Sequence, residues 1–306
     1  AFGFSAEGDE AGAYLMIQRQ AGPAAQPQAT IVYDVGATEP AQTWTLSLDG
    51  KPIAGTGPLH AVGGESGARA TLTGAAAARL IEALRNGQSL ELSAGGKSLE
   101  SVSLAGSAAA LLWVDDQQGR VGTVTALTKQ GPAPAASVHP RLSPPLVRAA
   151  APVSQAGLPK HAPPSLIKSD PDCDLDPDVA KDPNDVVARL APGVVLWGPQ
   201  CQSAAYNEVN IFFIGDEHAG HLRRVHFPPP PGTPPTGYDL IFNPQFDAKT
   251  QTLTSFDKAR GVADCGESDA WVWDGKAFEL AHQAGLTTCR GASPDDWPPV
   301  FVSRSQ

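Results

Sequence analysis

Residues Gly261–Trp297 read GVADCGESDAWVWDGKAFELAHQAGLTTCRGASPDDW and hold two of the four cysteines and three of the six tryptophans in the 306-residue chain. Asp274-Gly275 lies between two apolar runs and suits a two-residue type I′ turn. That turn predicts Trp273 opposite Lys276, Val272 opposite Ala277 and Trp271 opposite Phe278. Directly opposed residues share a face of the pleat, which gathers Trp271, Trp273, Phe278 and Leu280 on one side. That side is expected to be a core. Stacking of exposed tryptophans on a sugar, with Trp297 joining them, is the alternative. Packing accounts for the aromatics and stapling for Cys265 and Cys289, which leaves Asp264, Glu267 and Asp269 as the candidate surface-binding residues of the stretch.

Upstream of the hairpin the chain continues in short strand-like runs at Val194–Trp197, Val209–Ile214, Leu222–Phe227, Tyr238–Phe242 and Thr250–Phe256. Turn residues recur about every ten positions, as in a sandwich or barrel. Runs of the same kind open the chain at Ala13–Arg19, Thr30–Val35 and Thr43–Leu48. Between these regions Ala77, Leu80, Ile81 and Leu84 repeat at helical spacing after Thr73, a capping residue, and Asn86-Gly87 ends the segment. A second short helix is expected after Ser107, with Ala110, Leu111 and Val114 on its apolar side. The polar run Asp115, Asp116, Gln117, Gln118 and Arg120 reads as its solvated end. Residues 130–169 carry nine prolines and little periodicity, the text of an extended connection.

These readings give a mainly β chain with some α (α+β) and two β-rich domains. The first, 1–129, has two short helices. A Pro/Ala-rich linker, 130–169, follows. The second, 170–306, is an antiparallel, sandwich- or barrel-like unit stapled by disulfides. Length alone favours about two domains.

The formal charge is −10, with twelve basic against twenty acidic residues after position 150. No basic field offers itself to nucleic acid. The longest apolar run, Ala108–Val114, is far shorter than the roughly 18 residues a membrane span requires, so no transmembrane segment is expected. All four cysteines follow residue 170 and none forms a C-x-x-C pair. Two disulfides in an exported protein, periplasmic or extracellular, are therefore expected. Four cysteines allow three connectivities. Cys173–Cys201 with Cys265–Cys289 is preferred because each bridge closes a local, turn-interrupted loop. The chain begins without Met or a signal-peptide pattern, so Ala1 is expected to follow a removed segment.

Candidate chemistry is sparse. Asp172, Asp174, Asp176 and Asp178 alternate through DPDCDLDPD in the manner of calcium ligands, but the loop lacks the Gly and the distal acid that such a site needs. They remain weak metal candidates. His218, His221 and His226 cluster beside Asp216 and Glu217, yet a strand over 222–227 would send His221 and His226 to opposite faces. Ser66 in GGESGA and Ser268 in CGESDA do not complete a nucleophile elbow. No phosphate-binding or dinucleotide motif occurs, and no cofactor is expected.

Taken together, LLWVDDQQGRVGTVTALTKQG (Leu111–Gly131), CQSAAYN (Cys201–Asn207) and GVADCGESDAWVWDGKAFEL (Gly261–Leu280) resemble a secreted proteobacterial domain-of-unknown-function family, number eleven-seventy-six. The first half is similar to invasion-associated locus B proteins. The resemblance implies export, structural use of cysteine and no established activity. Members are expected to carry six cysteines, the first two near the N-terminus, whereas this chain has none before Cys173. A signal peptide and a cysteine-bearing strand ahead of Ala1 would account for the difference. The functional expectation is an exported envelope protein that binds a protein, peptide or glycan partner. The alternatives are a hydrolase pairing Asp264, Glu267 or Asp269 with a histidine of the 218–226 cluster, or a module stabilised by a divalent metal.

Overall fold

The structure, a computed structural model, describes residues 1–5, 12–33, 42–64, 67–168, 173, 179–234 and 239–305. It is mainly β and divides into two compact units, 1–143 with 290–292, and 144–289 with 293–306.

The first unit contains β1 (Phe2–Phe4), β2 (Ala13–Gln18), β3 (Gln28–Tyr33), β4 (Gln42–Leu48), β5 (Lys51–Pro52), β6 (Leu59–Gly64) and β7 (Gly67–Leu72). Helix α1 (Gly74–Leu84), β8 (Ser89–Ala94), β9 (Lys97–Ser103) and α2 (Ser107–Gln117) follow. The sheet runs β1-β2-β3-β7-β6-β4-β8-β9, with β5 paired to β4, and every pairing is antiparallel. Ser5, just past β1, bridges to Val102 of β9, so the ends of the sheet meet and the barrel nearly closes. Closure removes the exposed edges that an open sheet would present.

The apolar stripe of α1 is Ala77, Leu80, Ile81 and Leu84, all buried in the same core as Leu15, Ile31, Trp44, Leu46 and Leu90. Each large side chain buried there contributes roughly 1.5–3 kcal/mol of hydrophobic stabilisation. Thr73 stands at the N-cap in extended conformation, but its side chain makes no capping bond. Ser107 is not the cap of α2. Gly106 takes that position, and the Ser107 hydroxyl donates to the Leu84 carbonyl at 2.7 Å, joining the start of α2 to the end of α1.

The end of α2 corrects a second expectation. Asp115 and Arg120 are not solvated: both are 0% exposed. Asp115 Oδ1 accepts from Arg19 Nη2 at 2.8 Å and from Leu127 N at 2.9 Å. Its Oδ2 accepts from Thr128 N at 2.9 Å and from the Thr128 hydroxyl at 3.1 Å. Arg120 donates to the Thr125 hydroxyl and the Gly22 carbonyl. One carboxylate thus ties the end of β2, the end of α2 and the loop 125–128 together. Gly131 closes this knot, because a Cβ there would run into the Gly122 carbonyl. Within DDQQGRVGTVTALTKQG, Asp115, Arg120, Thr123 and Ala126–Thr128 are therefore the buried fastening.

In the second unit β10 (Leu146–Val147) and the short helix α3 (Ser165–Lys168) precede β11 (Val186–Ala191), β12 (Val194–Gly198), β13 (Gln200–Ser203) and β14 (Glu208–Asn210). Then come β15 (Phe213–Gly215), β16 (Arg223–Arg224), β17 (Ile241–Phe242), β18 (Gln245–Asp247), β19 (Thr252–Lys258), β20 (Gly266–Trp273), β21 (Phe278–Leu286), β22 (Pro299–Val302) and β23 (Arg304–Ser305). They form sheets β11-β12-β15-β16, β13-β14-β17 and β18-β19-β20-β21-β22, and β10 pairs in parallel with β23. Cys173–Cys201 and Cys265–Cys289 are bonded.

Three predicted strands divide or shorten here, and of Tyr238–Phe242 the described residues keep Ile241–Phe242 as strand. Val209–Ile214 divides between β14 and β15, which belong to different sheets. The break is enforced at Asn210, whose buried side chain donates to the Asn184 and Gly198 carbonyls, and Ile211 and Phe212 then turn into the core. Leu222–Phe227 shrinks to two paired residues, because the Phe227 N–H is taken by the Asp239 carboxylate at 3.2 Å instead of a ladder.

The hairpin register also differs from expectation. Trp273 pairs with Phe278 and Trp271 with Leu280, two residues displaced from the type I′ arrangement. Asp274 causes the displacement. Its carboxylate accepts from the Lys276 and Ala277 N–H groups at 2.7 and 2.8 Å, so the tight turn forms around Gly275-Lys276. A slip of two preserves the pleat phase, and Trp271, Trp273, Phe278 and Leu280 stay together in the core. Phe227 packs against Phe212, Trp271 and Phe278, and the Trp271 indole donates to the Pro228 carbonyl at 2.9 Å. The buried tryptophans are thus accounted for by packing.

The proline-rich text after residue 143 lies along this unit. The Ala150 N–H donates to the Trp273 carbonyl, and the Gln155 amide bonds both the N–H and the carbonyl of Arg189 as a strand would.

Candidate functional site

The three central strands of the five-stranded sheet carry one inner face whose chemistry changes along its length. Leu253, Trp271 and Leu280 face one another across β19, β20 and β21. A bulge in β21 then absorbs Ala281, and Ser255, Asp269 and Gln283 come into line. The next row is Asp257, Glu267 and Gly285. An apolar core therefore runs without interruption into three carboxylates, two of them directly opposed. Like charges opposed on neighbouring strands destabilise a sheet, so the arrangement is not one that folding alone would favour.

Asp269 is 7% exposed and accepts from Gln283 Nε2 at 2.8 Å. Burial, then the Glu267 carboxylate, push its carboxyl up to about 7, with Asp257 adding to the effect and the Gln283 bond opposing it. Asp257 is also raised, by burial, against an opposing bond from Asn207. Glu267 is exposed. Asp264 is separate from this group: it is 5% exposed and held by Arg260, whose Nε donates at 2.6 Å. Of the three candidate carboxylates, Asp269 and Glu267 thus come together, while Asp264 serves the loop before β20.

Asn207 and Asn243 position the edge of the site. Asn207 Nδ2 donates to Asp257 at 3.1 Å and to the Lys258 carbonyl at 2.9 Å, and its Oδ1 accepts from Asn243 Nδ2 at 2.8 Å. Asn243 Nδ2 also donates to the Phe256 carbonyl at 2.7 Å. The Tyr206 hydroxyl bonds the Ala259 carbonyl at 3.0 Å. The last two residues of CQSAAYN therefore clamp the end of β19 on which Asp257 sits. Asp257, Asn243 and Gln283 carry no motif of their own, and pairing in the sheet is what reveals them.

Gly266 lets the two strands close. Its φ is +140°, and a Cβ would run into the Asp257 carbonyl. Gly266→Ala is expected to lose about 1–3 kcal/mol through backbone strain and displacement of β19. Urea unfolding of the full chain measures it, and a change below a few tenths of a kcal/mol would refute the crowding argument.

The histidines lie elsewhere. His221 Nδ1 bonds Asp216 at 3.0 Å and His226 bonds Asp239, so the two do not share a centre. Asp216 is lowered to about 2 by the Gly220 N–H, with His221 and the His218 N–H adding to it. It serves as the anchor of its own loop. Neither His221 nor His226 is a partner of Asp257, Glu267 or Asp269. Among the described residues one group of three potential metal ligands closes within 4.8 Å, Asp264 with Cys265 and Cys289. Its two sulfurs are bonded to each other and supply no thiolate. Asp172, Asp174, Asp176, Asp178 and Ser66 lie outside the described residues. Among the described residues no helix is long and apolar enough to cross a membrane.

A family model described as "Protein of unknown function (DUF1176)" matches residues 1–304. The "Uncharacterized protein YpfG" of Escherichia coli (strain K12) is 30% identical over 325 residues, covering 97% of this chain and 87% of its own. No solved structure matches the chain.

Proposed function

We propose, for a chain that belongs to the DUF1176 family of proteins of unknown function, an exported envelope protein that acts by binding. Its second unit offers the Asp257–Glu267–Asp269 face to a cationic group of a protein or peptide partner. The observation that carries this reading is the exposed Glu267 placed opposite Asp257 with no basic side chain among their partners in the described residues. An incoming ammonium or guanidinium would relieve that repulsion and gain charge-assisted bonds. Two disulfides support an oxidising compartment.

The test titrates a trilysine peptide into the intact, oxidised protein at low salt and follows amide chemical shifts. Glu267→Gln is expected to weaken binding at least about fivefold, equivalent to roughly 1 kcal/mol. Glu279→Gln removes the same charge from the opposite face of the sheet and is expected to leave affinity within about twofold. Equal weakening by both variants would reduce the effect to net charge and overturn the site.

One observation favours a hydrolytic reading: a carboxyl near 7 beside a second carboxylate is poised to exchange protons at neutral pH. The side chains that reach the acids are amides, Gln283 and Asn207, rather than a histidine. Hydrolysis of an envelope glycan or peptide by the wild type and not by Asp269→Asn would replace binding with catalysis.

A further inference from the structure

We infer that Asp257, Glu267 and Asp269 form a proton-operated catch at the far end of the β19–β20 pair, closed while they share a proton and loosened when all three ionise. The inference uses the same carboxylates as the binding reading but no ligand, so its test contains none.

Asp257 and Glu267 are paired across the two strands, and Asp269 lies one row inward on the same face. Among the described residues, β17 reaches this face through the Phe242 backbone bonded to the Ser255 hydroxyl, and Asn243 reaches it through Asn207. β19 brings Asp257, and β20 brings Glu267 and Asp269. β21 brings Gln283 and Gly285, β22 brings Phe301 opposite Gln283, and the segment before β14 brings Asn207. Lys258 and His282 alternate onto the other face by register, and Arg260 is committed to Asp264. Among the described residues, three like charges therefore meet with two amide donors, Gln283 and Asn207, and no cation. A proton is the smallest species that turns one repulsion into a hydrogen bond. Its departure leaves a buried carboxylate held by Gln283 alone.

The upward displacement of Asp269 agrees in direction. Its sign follows from linkage. The folded protein holds this proton above the ordinary carboxylate range and the unfolded chain does not, so stability falls as pH rises from about 4 to about 7 and is level above. Carboxylates such as Asp216, lowered in the fold, act in the opposite direction and below that window.

The experiment follows thermal melting of the intact protein at constant ionic strength from pH 5 to 8.5, with hydrogen exchange of β19 and β20 amides corrected for intrinsic rate. The wild type is expected to lose several degrees between pH 5 and 7.5, and its β19–β20 amides to open at least tenfold more often at pH 8 than at pH 5.5. Asp269→Asn should flatten both profiles. Glu267→Gln, at an exposed position that leaves the core untouched, should move the transition to lower pH. Asp269→Asn with a wild-type pH profile, or a midpoint unmoved by Glu267→Gln, overturns the inference.

Discussion

Asp115→Ala is expected to destabilise the first unit by about 3–5 kcal/mol, the range for removing one partner of a buried ion pair. The loss is large because three sets of groups lose a partner together. The Arg19 guanidinium, with a side chain 1% exposed, keeps its charge without a carboxylate. The Leu127 and Thr128 N–H groups lose their acceptors, and the Thr128 hydroxyl loses its own. Asp116→Ala, one residue along the same helix on its exposed side, is expected to change stability by no more than about 0.5 kcal/mol. Urea unfolding of the full chain, followed by fluorescence and circular dichroism, compares the two. Equal effects at Asp115 and Asp116 would refute the buried knot. A paired Arg19→Met, Asp115→Leu variant should recover part of the loss, since an apolar pair leaves no charge stranded.

Loss of the Cys265–Cys289 bridge should lower stability by about 3.5 kcal/mol in the chain-entropy account of a loop this size. The corresponding fall in melting temperature is roughly 10 °C for a unit of about 150 residues. Cys265 is fully buried and directly precedes Gly266, where β20 begins against the Asp257 carbonyl. The bridge also holds the loop in which Arg260 grips Asp264. A Cys265→Ser, Cys289→Ser double variant, melted beside the oxidised wild type, measures the loss. A change under 1 kcal/mol would mean that the sheet orders this end without the bridge. A simultaneous rise in β19–β20 hydrogen exchange would place the damage beside the carboxylates.

Much of the local structure could be read directly. The spacing of Ala77, Leu80, Ile81 and Leu84 specifies α1 and its buried stripe. In the hairpin, the alternation of Trp271, Trp273, Phe278 and Leu280 survives a displaced turn, because a slip of two residues leaves every side chain on its original face. The displacement itself was not legible, since it depends on the Asp274 carboxylate choosing the Lys276 and Ala277 N–H groups. The candidate site was half visible. Glu267 and Asp269 stand out as acids without a structural task, whereas Asp257 looks like any charged residue at a strand end.

Periodicity and turn chemistry are local properties, so the chain on its own specified a β-rich molecule, its first helix and the inner face of its C-terminal hairpin. Burial of charge is not local. Asp115 and Asp116 are identical in type and adjacent, and what separates them is Arg19, 96 positions away in the chain. In the same way the 283rd residue supplies the amide that reaches Asp269, and the 207th the one that reaches Asp257. Desolvation and pairing fall off over a few ångströms and depend on which strands become neighbours. The tertiary fold therefore chose which acids became fasteners and which were left facing one another.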